Sequence, residues 1–166
     1  WILGSSTFGA RLAAQLGLPY SFASHFAPDD LLPALELYRS HFRPSKQLEK
    51  PYAMVGVNII AAATDAEAKR LATTQQMSFA DLIRGTRLLS RPPIADIETY
   101  WSPAEKMQAM RMLSRTIVGS PQTIFQGLRG IVGETGANEL IINSDIYDFE
   151  ARKMSFQIIA EAAAKV

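Results

Sequence analysis

The sequence predicts an α/β fold of parallel strands joined by crossover helices. Two observations carry the prediction. Four short apolar runs, at residues 1–4 (WILG), 20–24 (YSFAS), 52–62 (YAMVGVNIIAA) and 139–144 (ELIINS), are each followed by a helical pattern. The runs are also apolar along their length, as strands are when helices cover both sheet faces. Alternation of β and α on this spacing calls for parallel pairing with crossover connections.

The elements follow in order. After the first run, residues 8–16 place Leu12, Ala13 and Leu16 on one helical face. After the second, residues 29–42 repeat Leu31, Leu35 and Tyr38 at helical spacing, with Asp29 or Asp30 as cap. After the third, Thr64-Asp65-Ala66-Glu67 is a capping sequence that opens a helix over 65–79. About sixty residues then separate this helix from the last run, far more than an ordinary connection. Within them, residues 84–102 carry paired prolines, scattered charge and weak periodicity, and read as a long excursion or lid. Helices resume over 103–113 and 121–135. The second follows the turn Val118-Gly119-Ser120-Pro121, with Ser120 as cap, Pro121 at the first helical position and Gly136 as the stop. The last run leads into a helix over 149–165, with Met154, Ile158 and Ala162 in line. Four such βα units make half of an eight-unit barrel or a small open sheet.

Composition narrows the function classes. The formal net charge is +1, which gives no sign of nucleic acid or an anionic membrane as partner. The absence of cysteine excludes disulfides, thiolate metal sites and a cysteine nucleophile, and it fits a reducing, cytoplasmic setting. The longest apolar run, 53–63, is too short to span a bilayer and contains Asn58. No basic segment precedes the first apolar residues, so they do not read as a signal peptide.

Two segments carry candidate chemistry. Gly4-Ser5-Ser6-Thr7-Phe8-Gly9 leaves a strand and enters a helix. Backbone N–H groups at a helix N-terminus bind anions, and the three hydroxyls add donors. The segment is either a phosphate site or a capped helix after a tight turn. It has neither Rossmann nor P-loop spacing. Phe22-Ala23-Ser24-His25-Phe26 lies at the C-terminal end of the second strand, the end that faces the active site in parallel α/β folds. His25 there either bonds a ligand or moves a proton, or satisfies a loop carbonyl.

Other features read more simply. His41, near a helix C-terminus, complements the helix dipole. Two histidines and no cysteine give no metal-ligand spacing, so no metal is expected. No Gly-x-Ser-x-Gly elbow occurs. Asn58, Asn143, Ser144 and Asp145 are polar where strands run or end, and Asp145 and Asp148 bracket Tyr147 before the last helix. They face a site or cap that helix. Arg84, Arg87 and Arg91 grip an anion or form a solvated face. Tyr100 and Trp101 cover a substrate or pin the excursion.

LGSSTFGARLAAQLGLPYSFASHF (3–26), VGSPQTIFQGLRGIVGETGANELIINSDIYDFEARKMSF (118–156) and the order of units between them resemble the C-terminal half of the bacterial luciferase-like flavin monooxygenases. The resemblance covers essentially the whole chain. It implies a (β/α)8 TIM barrel of which this chain supplies units five to eight, with the N-terminal half missing. It implies reduced FMN and O2 as co-reactants, a small organic substrate such as an aldehyde, and a flavin reductase as the source of reduced FMN. Some relatives use a deazaflavin instead. Carried onto this sequence, Gly4, Ser5, Ser6 and Thr7 hold the flavin phosphate. Ala23, Ser24 and the catalytic candidate His25 approach the isoalloxazine. Residues 80–102 form the mobile active-site loop after the seventh strand. The expectation is then a fragment inactive alone, which forms a homo-oligomer or pairs with the missing half-barrel. A non-catalytic, self-associating half-barrel and a deazaflavin-dependent oxidoreductase are the alternatives.

Overall fold

The computed structural model describes residues 1–86 and 88–166. In chain order the elements are β1 (Ile2–Gly4), α1 (Thr7–Leu16), β2 (Tyr20–Phe22), α2 (Leu31–Ser40), β3 (Ala53–Ala61) and α3 (Asp65–Ile83). They continue with α4 (Pro103–Met112), β4 (Ile117–Gly119), α5 (Pro121–Thr135), β5 (Glu139–Asn143) and α6 (Phe149–Ala163). The expected α/β fold with a parallel sheet is present. The chain forms two compact units. The first comprises Trp1–Val57 and Ile131–Ile142, the second Asn58–Gly130 and Asn143–Val166.

In the first unit, β1, β2 and the start of β3 pair in parallel. Their register makes rows across the sheet: Ile2–Tyr20–Ala53, Leu3–Ser21–Met54 and Gly4–Phe22–Val55. Successive side chains alternate between faces, so the first and third rows share one face. That face lies under α1 and α2. The Tyr20 ring packs 5.3 Å from the Tyr38 ring of α2. The Tyr38 hydroxyl donates to the Leu18 carbonyl at 2.9 Å and accepts from the Tyr52 N–H at 3.0 Å. The opposite row is less enclosed. β2 is buried throughout, but Leu3 is 71% exposed and Ile141 of β5 is 54% exposed. Coverage of both faces, expected for all four apolar runs, therefore fails for β1 and β5. The helices packed on β1 cover one face only, and β5 alternates exposed and half-buried positions.

Asp29 and Asp30 lie in a 3-10 turn, Pro28–Asp30, and α2 starts after them. Asp30 at the N-cap makes no side-chain capping bond, contrary to the capping role read from sequence. α1 ends at Gly17, whose φ of 61° is left-handed. A Cβ there would also lie 2.5 Å from the Arg43 carbonyl, so only glycine fits.

In the second unit, the end of β3 pairs in parallel with β4: Ile59–Ile117, Ile60–Val118 and Ala61–Gly119. This corrects the reading of residues 118–121 as a plain turn. Three residues are too few to show a strand period, and the helix-start signal Ser120-Pro121 follows at once. Ile60, Ala62, Ala68, Leu71, Ala72 and Ile146 form a core.

α3 runs to Ile83, beyond its predicted end, because the excursion packs along it. Thr73 Oγ1 accepts from the Ile94 N–H at 2.9 Å, and the Thr74 hydroxyl donates to the Arg91 carbonyl at 2.9 Å. The Tyr100 hydroxyl donates to Asp81 Oδ1 at 2.6 Å, and the Arg91 guanidinium pairs with the same buried carboxylate. Arg84 bridges to Glu105 at 2.7 Å. Trp101 is buried against Ala80 and Ala109. Of the roles open to Tyr100 and Trp101, these contacts provide pinning. Arg84 and Arg91 are both bound to carboxylates; Arg87 lies outside the described residues. Among the described residues no helix is long and apolar enough to cross a membrane.

Candidate functional site

The site is built at the C-terminal ends of β1 and β2. Gly4 and Gly9 let α1 approach β1 closely, since a Cβ on either would stand 3.4 Å from the other's Cα. The turn between them is polar. Ser6 is the N-cap of α1, with extended backbone (φ −151°, ψ 170°), yet its side chain makes no capping bond. Ser5 and Ser6 are exposed, and Thr7 is half-buried. No acidic residue occupies the first turn of α1. The turn therefore presents hydroxyls and unpaired helix N–H groups without a competing carboxylate, a donor set suited to an anion. The capped-helix reading of Ser6 does not hold here, because its hydroxyl is not used for that purpose.

The second loop is fastened to the first. The Ala23 N–H donates to the Gly4 carbonyl at 2.9 Å, extending the β1–β2 ladder by one bond. Phe26 and Ala27 N–H groups both donate to the Ala23 carbonyl, at 3.0 and 3.3 Å, and coil the chain back. Ser24 is buried, and its hydroxyl donates to the Gly56 carbonyl of β3 at 2.5 Å. The His25 ring stands over Gly56 and lies 4.3 Å from the Phe26 ring, tilted by 46°. Its Nδ1 is buried with no hydrogen-bond partner. Tyr20 supports the first loop, donating from its hydroxyl to the Ser6 carbonyl at 3.1 Å. Burial, then the nearby Asp30 carboxylate, pushes the Tyr20 phenol up to about 12.

The structure thus brings Gly4, Ser5, Ser6 and Thr7 together with Ala23, Ser24 and His25 on two bonded loops. Gly56 was missed from sequence. A glycine inside a β-branched run signals close approach of another group, and that signal was present. His41 stands apart at the C-cap of α2, its Nδ1 within 3.2 Å of the Leu37 carbonyl.

The polar strand-end residues form a separate cluster within the second unit. Asn143 donates to Asn58 at 2.8 Å. Ser155 Oγ accepts from the Ala61 N–H at 2.9 Å and lies 3.1 Å from Ser144 Oγ. Asp148 caps α6 by accepting from the Ala151 N–H at 2.8 Å. Asp145 is half-buried, and burial raises its carboxyl above the usual range. Among the described residues no group of three or more His, Cys, Asp or Glu could hold a metal ion.

Comparison with known proteins adds the following. A family model described as luciferase-like monooxygenase matches residues 1–139. The Bacillus subtilis (strain 168) protein YvbT is 50% identical over 161 residues, 97% of this chain and 48% of that protein. An Escherichia coli (strain K12) protein named luciferase-like monooxygenase is 49% identical over 158 residues, 95% of this chain and 47% of that one. The crystal structure of apo-MsnO8 is similar at a TM-score of 0.82 and 28% identity, over 99% of this chain and 50% of that one. A type II Baeyer-Villiger monooxygenase, the oxygenating constituent of 3,6-diketocamphane monooxygenase of Pseudomonas putida in complex with FMN, shares the fold at a TM-score of 0.55. It is 19% identical over 98% of this chain and 46% of that one. The chain spans about half the length of the curated relatives it matches.

Proposed function

This chain belongs to the luciferase-like monooxygenase family, and from that premise we propose that it forms the phosphate-binding part of a flavin site for oxygenating a small organic substrate. One observation carries the reading. Two loops at the ends of adjacent parallel strands are locked by the Ala23–Gly4 hydrogen bond, one with free hydroxyls at an acid-free helix start and the other with His25.

The donor set fits FMN. Its phosphate monoester carries negative charge and accepts hydrogen bonds, which Ser5, Ser6, Thr7 and the first N–H groups of α1 supply. The small side chain of Ala23 lets a flat ring approach the loop, and Ser24 fixes that loop to β3. His25 offers an imidazole beside the ring system. When bound, reduced FMN supplies the electrons that activate molecular oxygen. The residues of this chain bind, orient and shield.

The wider reading follows the relatives. The sheet is the C-terminal half of a (β/α)8 barrel, units five to eight, and of the expected loop 80–102, whose first four residues lie in α3, residues 88–102 belong to its active-site loop. The face that carries Leu3, Ser21 and Met54, on which Leu3 is exposed, is the interior face of that barrel. Reduced flavin comes from a separate reductase, and the chain works paired with the other half-barrel or in a homo-oligomer. An aldehyde is the first substrate to try.

The test uses a polypeptide of the relatives' length. FMN titration should show binding that weakens roughly ten-fold when Ser5 and Ser6 are both alanine, for a loss of about 1.4 kcal/mol. Oxygen uptake with reduced FMN and long-chain aldehydes should follow. No FMN binding, or an unchanged Kd in the double variant, overturns the reading. Turnover with a deazaflavin and no oxygen uptake would move the protein to hydride transfer.

A further inference from the structure

We infer that Gly56 is a positioning residue that holds His25 in its Nε2–H tautomer, so that the imidazole acts as a hydrogen-bond donor on the open face of the sheet. The inference rests on the flavin-site reading only for its purpose; the tautomer itself is set by the fold.

Gly56 lies in β3 two residues after Met54. Side chains two apart share a face, so a side chain at position 56 would point to the face that carries Leu3, Ser21 and Met54. The helices α1 and α2 cover the other face. The His25 ring fills the space that such a side chain would take. A Cβ on Gly56 would stand 2.7 Å from His25 Nδ1 and 2.9 Å from its Cε1, both nearer than real carbon atoms approach. Gly56 thus has two roles in one residue. Its carbonyl receives the Ser24 hydroxyl at 2.5 Å, fixing the loop, and its missing side chain gives the imidazole a flat seat.

The seat decides where the proton sits. A neutral imidazole carries one N–H and one bare nitrogen, and the surroundings of each nitrogen choose between them. Nδ1 is buried beside Gly56 and makes no hydrogen bond, not even to the nearby Phe22 carbonyl. A proton there would point at aliphatic hydrogens, and the N–H would be buried without a partner. A bare nitrogen instead receives the weakly polar Cα–H groups. The proton therefore stays on Nε2 of this half-buried residue. From there it is available to an acceptor oxygen, a carbonyl or an anionic oxygen of the bound molecule. Geometry thus gives His25 the role of donor, with proton abstraction excluded at the buried nitrogen.

His41 is an internal reference. Its Nδ1 lies 3.2 Å from the Leu37 carbonyl, which only accepts, and 3.0 Å from Ser40 Oγ, whose own proton goes to the Glu36 carbonyl at 2.8 Å, so both neighbours accept and His41 takes the opposite, Nδ1–H form. The chain has two histidines. One nitrogen-15 spectrum of the imidazoles, recorded without flavin in mildly alkaline buffer, reads both tautomers. The expected result is Nε2–H for His25 and Nδ1–H for His41. Nδ1–H at His25, or an even mixture of forms, overturns the inference. A second measurement does not depend on assignment. Gly56→Ala should lower the denaturant midpoint, and most of that loss should be recovered in the Gly56→Ala, His25→Ala double variant relative to His25→Ala alone. Strictly additive losses would mean that the ring does not use the seat. Failure of FMN to bind would remove the flavin reading and leave both of these results standing.

Discussion

The Tyr20 hydroxyl donates to the Ser6 carbonyl at 3.1 Å, tying the helix-covered face of the sheet to the turn that opens α1. Tyr20→Phe should leave the fold intact and lower stability by about 1 kcal/mol, the net worth of one hydrogen bond. The folded protein also holds the Tyr20 proton more tightly than the unfolded chain does, because burial and Asp30 disfavour the phenolate. That stability is complete below the ordinary tyrosine pKa of 10.0 and is lost as pH rises towards about 12. Tyr38, raised mainly by burial, acts in the same direction. Alkaline unfolding followed by circular dichroism should be shallower in Tyr20→Phe than in the parent.

Two cap positions should behave oppositely. Thr64 Oγ1 accepts from the Glu67 N–H at 3.2 Å at the start of α3, so Thr64→Ala should cost about 1 kcal/mol. Ser6 makes no such bond. Ser6→Ala should stay within about 0.5 kcal/mol of the parent in urea unfolding while weakening FMN binding. A Ser6→Ala loss equal to that of Thr64→Ala would show a structural hydroxyl.

Tyr100 and Arg91 both bond the buried Asp81 carboxylate. Tyr100→Phe removes one donor from a buried charge and should cost about 1.5–3 kcal/mol. The effect should be local. Hydrogen exchange and proteolysis should increase within residues 88–102 before they change elsewhere.

Asp65 joins the start of α3 to the start of α5. Its Oδ1 accepts from the Ser120 N–H at 2.6 Å and the Thr123 hydroxyl at 2.8 Å, and these bonds hold its carboxyl below the usual range. Asp65→Ala should lower the unfolding midpoint at neutral pH. The gap from the parent should close as pH falls through the carboxylate range, because the native bonds need the ionised form. Gly119 adjoins this contact, and a Cβ there would lie 2.5 Å from Thr123 and 2.6 Å from Asp65 Oδ1. Gly119→Ala should cost about 1–3 kcal/mol by overpacking.

Local periodicity and caps made most helices legible. Thr64 and Asp148 accept their capping bonds, and Gly136 stops α5 with a φ of 55°. The pairing of the two loops was legible too, because consecutive βα units place strand ends side by side. What stayed hidden depends on distant partners. β4 is a three-residue strand defined only by β3 beside it. The seat of His25 on Gly56 exists only once β2 and β3 are in register. Nothing in the local pattern of α3 announces that its Thr73, Thr74 and Asp81 are buried under a segment some twenty residues away.

The acid-free first turn of α1 has a consequence for engineering. Designers often raise stability by adding Asp or Glu at helix starts, for about 0.3–1 kcal/mol each. At Thr7 or Phe8 that change would place a negative charge where the phosphate is proposed to sit. Tolerance to heat and affinity for the cofactor would move in opposite directions. A library selected only for thermal survival would therefore drift towards inactive proteins at this turn.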